Sequence, residues 1–179
     1  MKEMKTDDAI LRFVREGHYF IPGTENGVGE VTYLCAGEEI CYVQCTTETF
    51  LKKVADKLCM DLRRLREFSS EVTGQKKLVP LILSKEVVLL PFIHLLTKNR
   101  HHRQGYLRLS SIESCGPALL PNTCNIKLHR SHNMISLRLS VRRLVEHMSK
   151  ARFIRDYYAD LFRPSIPTQI ENNHDQLDS

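Results

Sequence analysis

The sequence predicts an α+β fold: a mixed, mostly antiparallel sheet with a helical pair after the N-terminal strands and a long C-terminal helix. Three observations carry this. Before Thr46 the apolar residues come in short bursts cut by glycine, proline and asparagine, the pattern of strands and turns. From Thr46 to Val72 they recur at intervals of three and four, the helical period. Short, strongly apolar runs then return at Leu78–Leu83 and Val87–Phe92, before a last helical stretch from Ser131 to Leu161.

In chain order, Ala9–Val14 and His18–Ile21 are strand candidates parted by Gly17, and Pro22-Gly23 and Asn26-Gly27 mark turns. Val31–Cys35 and Ile40–Gln44 flank Ala36-Gly37-Glu38-Glu39 as a hairpin. Thr46 or Thr47 then caps a helix with Phe50, Leu51, Val54, Ala55 and Leu58 on one face. Glu48 in its first turn and Lys52, Lys53 and Lys57 later follow the helix dipole. Met60–Val72 reads as a second helix, with Leu62, Leu65 and Phe68 on one side, ended by Gly74.

Leu78–Leu83 and Val87–Phe92, joined by Ser84-Lys85-Glu86, are apolar almost without break. That pattern means burial on both faces and places the hairpin at the centre of the core. Out of it runs Thr97-Lys98-Asn99-Arg100-His101-His102-Arg103-Gln104, eight polar residues with no acid among them: a basic loop on a rigid base. A strand Tyr106–Ile112 follows, in which alternation sets Arg108 opposite Leu107 and Leu109 on an exposed sheet face. After turns at Gly116-Pro117 and Pro121-Asn122, Asn125–His129 is a further strand. The helix from Ser131 to Leu161, interrupted near Ser149, has Ile135, Leu137, Leu139, Val141, Leu144, Val145 and Met148 as its apolar side. Arg138, Arg142 and Arg143 are exposed by the same period, the first two on one face. Residues 1–165 thus form one domain and 166–179 a flexible acidic tail.

Charge is segregated along the 179 residues. Residues 1–48 carry four Lys and Arg against nine Asp and Glu, residues 49–155 carry 21 against seven, and residues 156–179 carry Arg163 alone against five. The central block is +14 within a net of +5. A field of one sign concentrates its counterion, so the expected partner is a polyanion. No apolar run approaches the roughly 20 residues of a membrane helix, and the acidic N-terminal stretch lacks a signal peptide's apolar core. The expected location is the cytoplasm, with no membrane partner.

Six cysteines (Cys35, Cys41, Cys45, Cys59, Cys115, Cys124) contain no Cys-x-x-Cys pair. Cys35, Cys41 and Cys45 lie among apolar residues, and a reducing compartment disfavours bridges, so they are expected to be structural thiols. A zinc site recruiting His101, His102 or His129 has no supporting spacing. There is no glycine-rich phosphate loop, no nucleophile elbow and no His-Glu-x-x-His helix. Gly23, Gly27 and Gly29 lack the helix a dinucleotide site requires. The expectation is a non-enzyme without cofactor or metal.

The succession Lys77-Leu78-Val79-Pro80-Leu81-Ile82, Val87-Val88-Leu89-Leu90-Pro91, a polar basic loop, then Gly105-Tyr106-Leu107 and Leu109-Ser110-Ser111-Ile112 resembles the ComK-type competence transcription factors of Gram-positive bacteria. The similarity extends upstream to Glu30–Phe68 and downstream to Arg138–Arg143, the block from Lys77 to Ile112 being its specific part. The resemblance implies a nucleoid-associated transcription activator of DNA-uptake genes, binding double-stranded A/T-rich boxes through the minor groove as a homo-oligomer. It also implies a proteolytic adaptor as partner. Three departures stand out: the loop between Pro91 and Gly105 is longer than the family's, Phe92-Ile93-His94-Leu95-Leu96 replaces the family's Ser/Thr run after the proline, and Phe162-Arg163-Pro164 matches the adaptor motif poorly.

The residues agree with that inheritance on their own terms. A narrow A/T minor groove has an enhanced negative potential that attracts inserted cations, which suits Lys98, Arg100, His101 and Arg103 in the loop. Arg108, Arg138, Arg142 and Arg143 complete the candidate DNA-contact set, the helix arginines suiting phosphates rather than bases. Two alternatives stay open: an RNA-binding protein with Tyr106 as its stacking platform, and a protein-interaction module. The stripe Phe153, Ile154, Tyr157, Tyr158 and Leu161 either joins two protomers or docks on the chain's own core.

Overall fold

The computed structural model describes residues 1–94 and 104–161. The loop residues Lys98, Arg100, His101 and Arg103 and the tail 166–179 lie outside the described residues.

The chain opens with β1 (Lys2–Glu3) and α1 (Thr6–Glu16). The strand expected at 9–14 is therefore a helix. Asp7 and Asp8 sit in its first turn and Arg15 in its last, favourable ends for the dipole, and Ala9, Ile10 and Phe13 form a single buried stripe. The helix runs directly into β2 (Gly17–Glu25), then β3 (Gly29–Ala36) and β4 (Glu39–Val43), the predicted hairpin. α2 (Thr47–Lys57) starts at Thr46, whose hydroxyl accepts from the Thr49 N–H at 3.2 Å. α3 (Leu62–Thr73) starts at Asp61, whose carboxylate accepts from the Arg64 N–H at 3.0 Å. Gly74, at φ +65°, supplies the left-handed residue that ends it.

β5 (Leu81–Ile82) and β6 (Val88–Ile93) form the apolar hairpin, and β7 (Gln104–Arg108) pairs with β6. The strand expected to continue to Ile112 stops at Arg108: a 3₁₀ turn, Leu109–Ser111, redirects the chain into β8 (Ile112–Pro117), which leaves for a second sheet with β9 (Cys124–Leu128) and β10 (Met134–Leu137). The last helix, α4, spans Val141–Leu161 without a break at Ser149. The helix expected from Ser131 is thus a strand and a helix. Met134 and Ser136 are exposed while Ile135 and Leu137 are buried, the period-two signature, and Ser140 caps α4, its hydroxyl accepting from the Arg143 N–H at 3.4 Å.

The described residues form a seven-stranded sheet in the order β1-β4-β3-β2-β7-β6-β5, antiparallel except for β1 beside β4, and an antiparallel sheet β10-β9-β8. Neighbouring residues along the larger sheet divide between two cores. Phe20, Leu34, Leu81, Val87, Leu89 and Tyr106 face α1 and α2. Tyr19, Cys35, Ile82, Val88, Leu90 and Leu107 face the small sheet and α4. This is why the hairpin is apolar at every position: burial of each such side chain, at about 1.5–3 kcal/mol, is collected on both faces. The hairpin nevertheless lies at the sheet's edge rather than its middle, with β5 outermost.

Cys35, Cys41 and Cys124 are buried in these cores and Cys59 is exposed. Burial pushes the Cys35 thiol up to about 11, so it stays protonated. Among the described residues no helix is long and apolar enough to cross a membrane.

Candidate nucleic-acid interface

The loop that carries Lys98, Arg100, His101 and Arg103 leaves the sheet after Ile93 and re-enters at Gln104, directly paired residues of β6 and β7. Its root is rigid. An added Cβ at Gly105 would meet the Phe92 ring at 2.7 Å and Ile21 Cγ2 at 3.0 Å, so only glycine lets these strands pack so closely here. Tyr106 is 1% exposed, stacked on Phe20 with ring centroids 5.1 Å apart. Its hydroxyl accepts from Gln104 Nε2 at 2.8 Å and Arg66 Nη2 at 3.5 Å. Burial, then the Glu48 charge, pushes it up to about 12. Tyr106 is therefore a core residue, and the stacking platform expected of an RNA-binding sheet is not formed by it.

Beside the root lies an open groove of about 720 Å³ lined by Arg66, Ser70, Lys76, Lys77, Ile93 and Gln104. Arg66 is largely committed, donating to both Glu48 oxygens at 2.9 and 3.0 Å. Lys76 and Lys77 are exposed and, among the described residues, have no acidic partner. The link that holds them is fixed at both ends: Gln75 Nε2 donates to the Lys77 and Leu78 carbonyls at 2.7 and 2.9 Å, and Lys150 Nζ of α4 donates to Gln75 Oε1 at 3.2 Å. These lysines were not singled out as contacts from sequence, although Gln75-Lys76-Lys77 stands against the most apolar stretch of the chain, where a charged pair can only mark its solvent edge.

The arginines of the second group separate. Arg138 is exposed in the link between β10 and α4, and Arg142 and Arg143 are exposed on the first turn of α4. Arg138 and Arg142 therefore do not share a helix face. Arg142 Nε donates to Glu146 at 3.1 Å, whereas Arg138 and Arg143 have no ion pair among the described residues. Cations at a helix N-terminus sit against the dipole, but with its free N–H groups they make a place where a phosphate is doubly attracted.

Arg108 is not a surface contact. It projects to the same face as Tyr106, and that face is covered by α1. The side chain is 9% exposed, with Nε donating to the Glu86 carbonyl at 3.1 Å and Nη1 to the Phe13 and Val14 carbonyls at 3.4 and 3.2 Å. It ties the last turn of α1 and the turn before β6 to the end of β7. Burial lowers its pKa from the ordinary arginine value.

The aromatic stripe of α4 divides. Ala151 and Ile154 are buried in the core, and Tyr157 and Tyr158 rings meet Phe68 of α3 with centroids 6.0 Å away. Phe153 and Tyr157 remain 59% and 44% exposed, stacked on each other. Comparison with protein-family models, curated proteins and solved structures returns no significant match.

Proposed function

We propose that the chain is a double-stranded-DNA-binding transcription activator of the ComK type, recognising A/T-rich boxes with the loop between Ile93 and Gln104 placed in the minor groove. The observation that carries this reading is the foot of that loop. Two lysines with no acidic partner among the described residues, Lys76 and Lys77, stand beside a rigid strand pair from which eight polar, acid-free residues emerge. The loop cations enter the groove, where A/T sequences have the most negative potential. Lys76 and Lys77 hold the flanking phosphates, and Arg138 and Arg143 add backbone contacts that fix register without reading bases. The exposed Phe153–Tyr157 face joins a second protomer, so that two short boxes are read together and discrimination multiplies.

Quantitative binding to A/T-rich and G/C-rich duplexes of equal length tests this. Arg100→Ala with Arg103→Ala is expected to erode the preference between them, and Lys76→Ala with Lys77→Ala to weaken both alike. Retention of full A/T preference by the loop variant would overturn the assignment.

A further inference from the structure

At the end of β7 opposite the loop root, the chain builds a second basic hollow, of about 520 Å³. Arg15 from the last turn of α1, His18 from β2, Arg108 from β7, Ser110 from the 3₁₀ turn and His129 and Arg130 from the β9–β10 connection line it. That volume falls within the roughly 300–1,000 Å³ of small-ligand sites.

His18 is the first sign that something binds here. The pairing of β2 with β3 slips between Gly17, opposite Ala36, and Tyr19, opposite Cys35. His18 is thus the extra residue of a β-bulge, a device that re-aims a side chain. It is 7% exposed, and neither ring nitrogen has a hydrogen-bond partner of good geometry among the described residues, the backbone contact with Gly37 being the weakest of the influences on the ring. A buried imidazole without a partner forfeits its hydrogen bonds unless a ligand supplies them.

Arg108 is the second sign. Its three bonds go to neutral carbonyls, and no carboxylate lies within ion-pair distance among the described residues. A guanidinium withdrawn from water without a counter-charge is costly, and its Nη2 has no hydrogen-bond partner among the described residues. Arg130 is held at φ +54°, a conformation that non-glycine residues rarely adopt. The turn carrying it is tied down by the His129 N–H donating to the Ser111 carbonyl at 2.8 Å. The one carboxylate lining the hollow, Glu16, is already taken by Arg12 at 2.9 Å. Three arginines thus face one acid, whose partner Arg12 is shared with Glu39 at 2.6 Å.

We propose that this hollow binds the phosphate group of a small phosphorylated molecule, up to the size of a mononucleotide, at a site separate from the DNA surface. Arg108 Nη2, Arg15 and Arg130 supply the charge, the Ser110 hydroxyl supplies a hydrogen bond, His18 adds one when its covered ring turns toward the hollow, and the rest of the ligand lies toward His129. The inference stands whether or not the chain binds DNA.

The test is calorimetric titration of the full-length protein, in phosphate-free buffer, with inorganic phosphate, pyrophosphate and adenosine 5′-monophosphate. Arg15→Ala and Arg130→Ala alter exposed side chains and leave the fold intact, which circular dichroism verifies. The expected result is one-to-one binding of at least one probe, weakened about tenfold or more by either variant, the scale of one lost charge-assisted contact, with affinity for duplex DNA unchanged. Silence from all three probes at low millimolar concentration would overturn the proposal, as would equal binding by wild type and variants. So would displacement of the bound probe by duplex DNA together with loss of DNA affinity in Arg130→Ala, since the hollow would then belong to the DNA track.

Discussion

Replacing Arg108 by alanine separates the buried reading of this residue from the exposed one. The substitution removes three hydrogen bonds of 3.1 to 3.4 Å to the Glu86, Phe13 and Val14 carbonyls. Bonds of that length are each worth about 1 kcal/mol net, the value of an ordinary neutral hydrogen bond and below that of a short charge-assisted one. Loss of the packed alkyl stem adds about 1 kcal/mol, and release of a guanidinium that is only partly desolvated, its Nη2 still open to the hollow, offsets about the same. The expected loss is about 2–3 kcal/mol, which for a chain of this size lowers Tm by roughly 5–10 °C. Arg108→Lys keeps the charge but not the fork and falls between. Urea unfolding followed by circular dichroism gives the stability, and DNA titration well below Tm gives the affinity. A variant of unchanged stability whose DNA affinity fell tenfold would refute the buried role and restore Arg108 to the surface.

Other consequences are as open to measurement. Ile154→Ala, in the core beneath α4, is expected to cost about 2–5 kcal/mol in urea unfolding; Phe153→Ala, at an exposed position, is expected to leave the fold nearly as stable and, on the proposed dimer, to shift sedimentation toward the monomer, and an unchanged sedimentation coefficient would exclude that face as the contact. Gly105→Ala forces a Cβ to within 2.7 Å of the Phe92 ring and is expected to destabilise by about 1–3 kcal/mol. Burial, then the Arg108 charge, lowers the pKa of His18, and burial does the same for His94 and His147. The unfolded chain therefore takes up protons below about pH 6.5 that the folded chain does not, so stability is full above that pH and falls as pH drops, by at most about 1.4 kcal/mol per pH unit for each group. A urea midpoint that held constant between about pH 7.5 and about pH 5.5 would contradict these three burials.

Where the sequence could be read, a single periodicity governed the side chains. The 47–73 helices and the 81–93 hairpin follow from residues whose every neighbour in the pattern agrees, and Gly74 ends α3 by a rule local to the chain. The failures have a common cause. Arg108 alternates with Leu107 as expected, but alternation gives the opposite face, not solvent, and here α1 covers that face. Reading 9–14 as a strand removes α1, the element whose last turn covers Arg108. Ile135 and Leu137 fit the apolar side of a helix as well as the buried side of a short strand, so periodicity alone sets Arg138 on a helix. His18 could not have been found at all: a bulge is a slip of register between two strands and leaves no mark in either. Lys76 and Lys77 were legible as exposed, and only the groove beside the loop root makes them neighbours of the expected contact.

The central claim, that the basic middle of the chain holds duplex DNA, is tested most directly by titrating labelled A/T-rich duplex across a range of salt concentrations, wild type beside Lys76→Ala with Lys77→Ala. About five to eight phosphate contacts per protomer predict a log–log slope of about −4.5 to −7, reduced by about one for each lysine removed. A flat response, absence of binding at low salt, or a slope indifferent to both lysines would contradict the account.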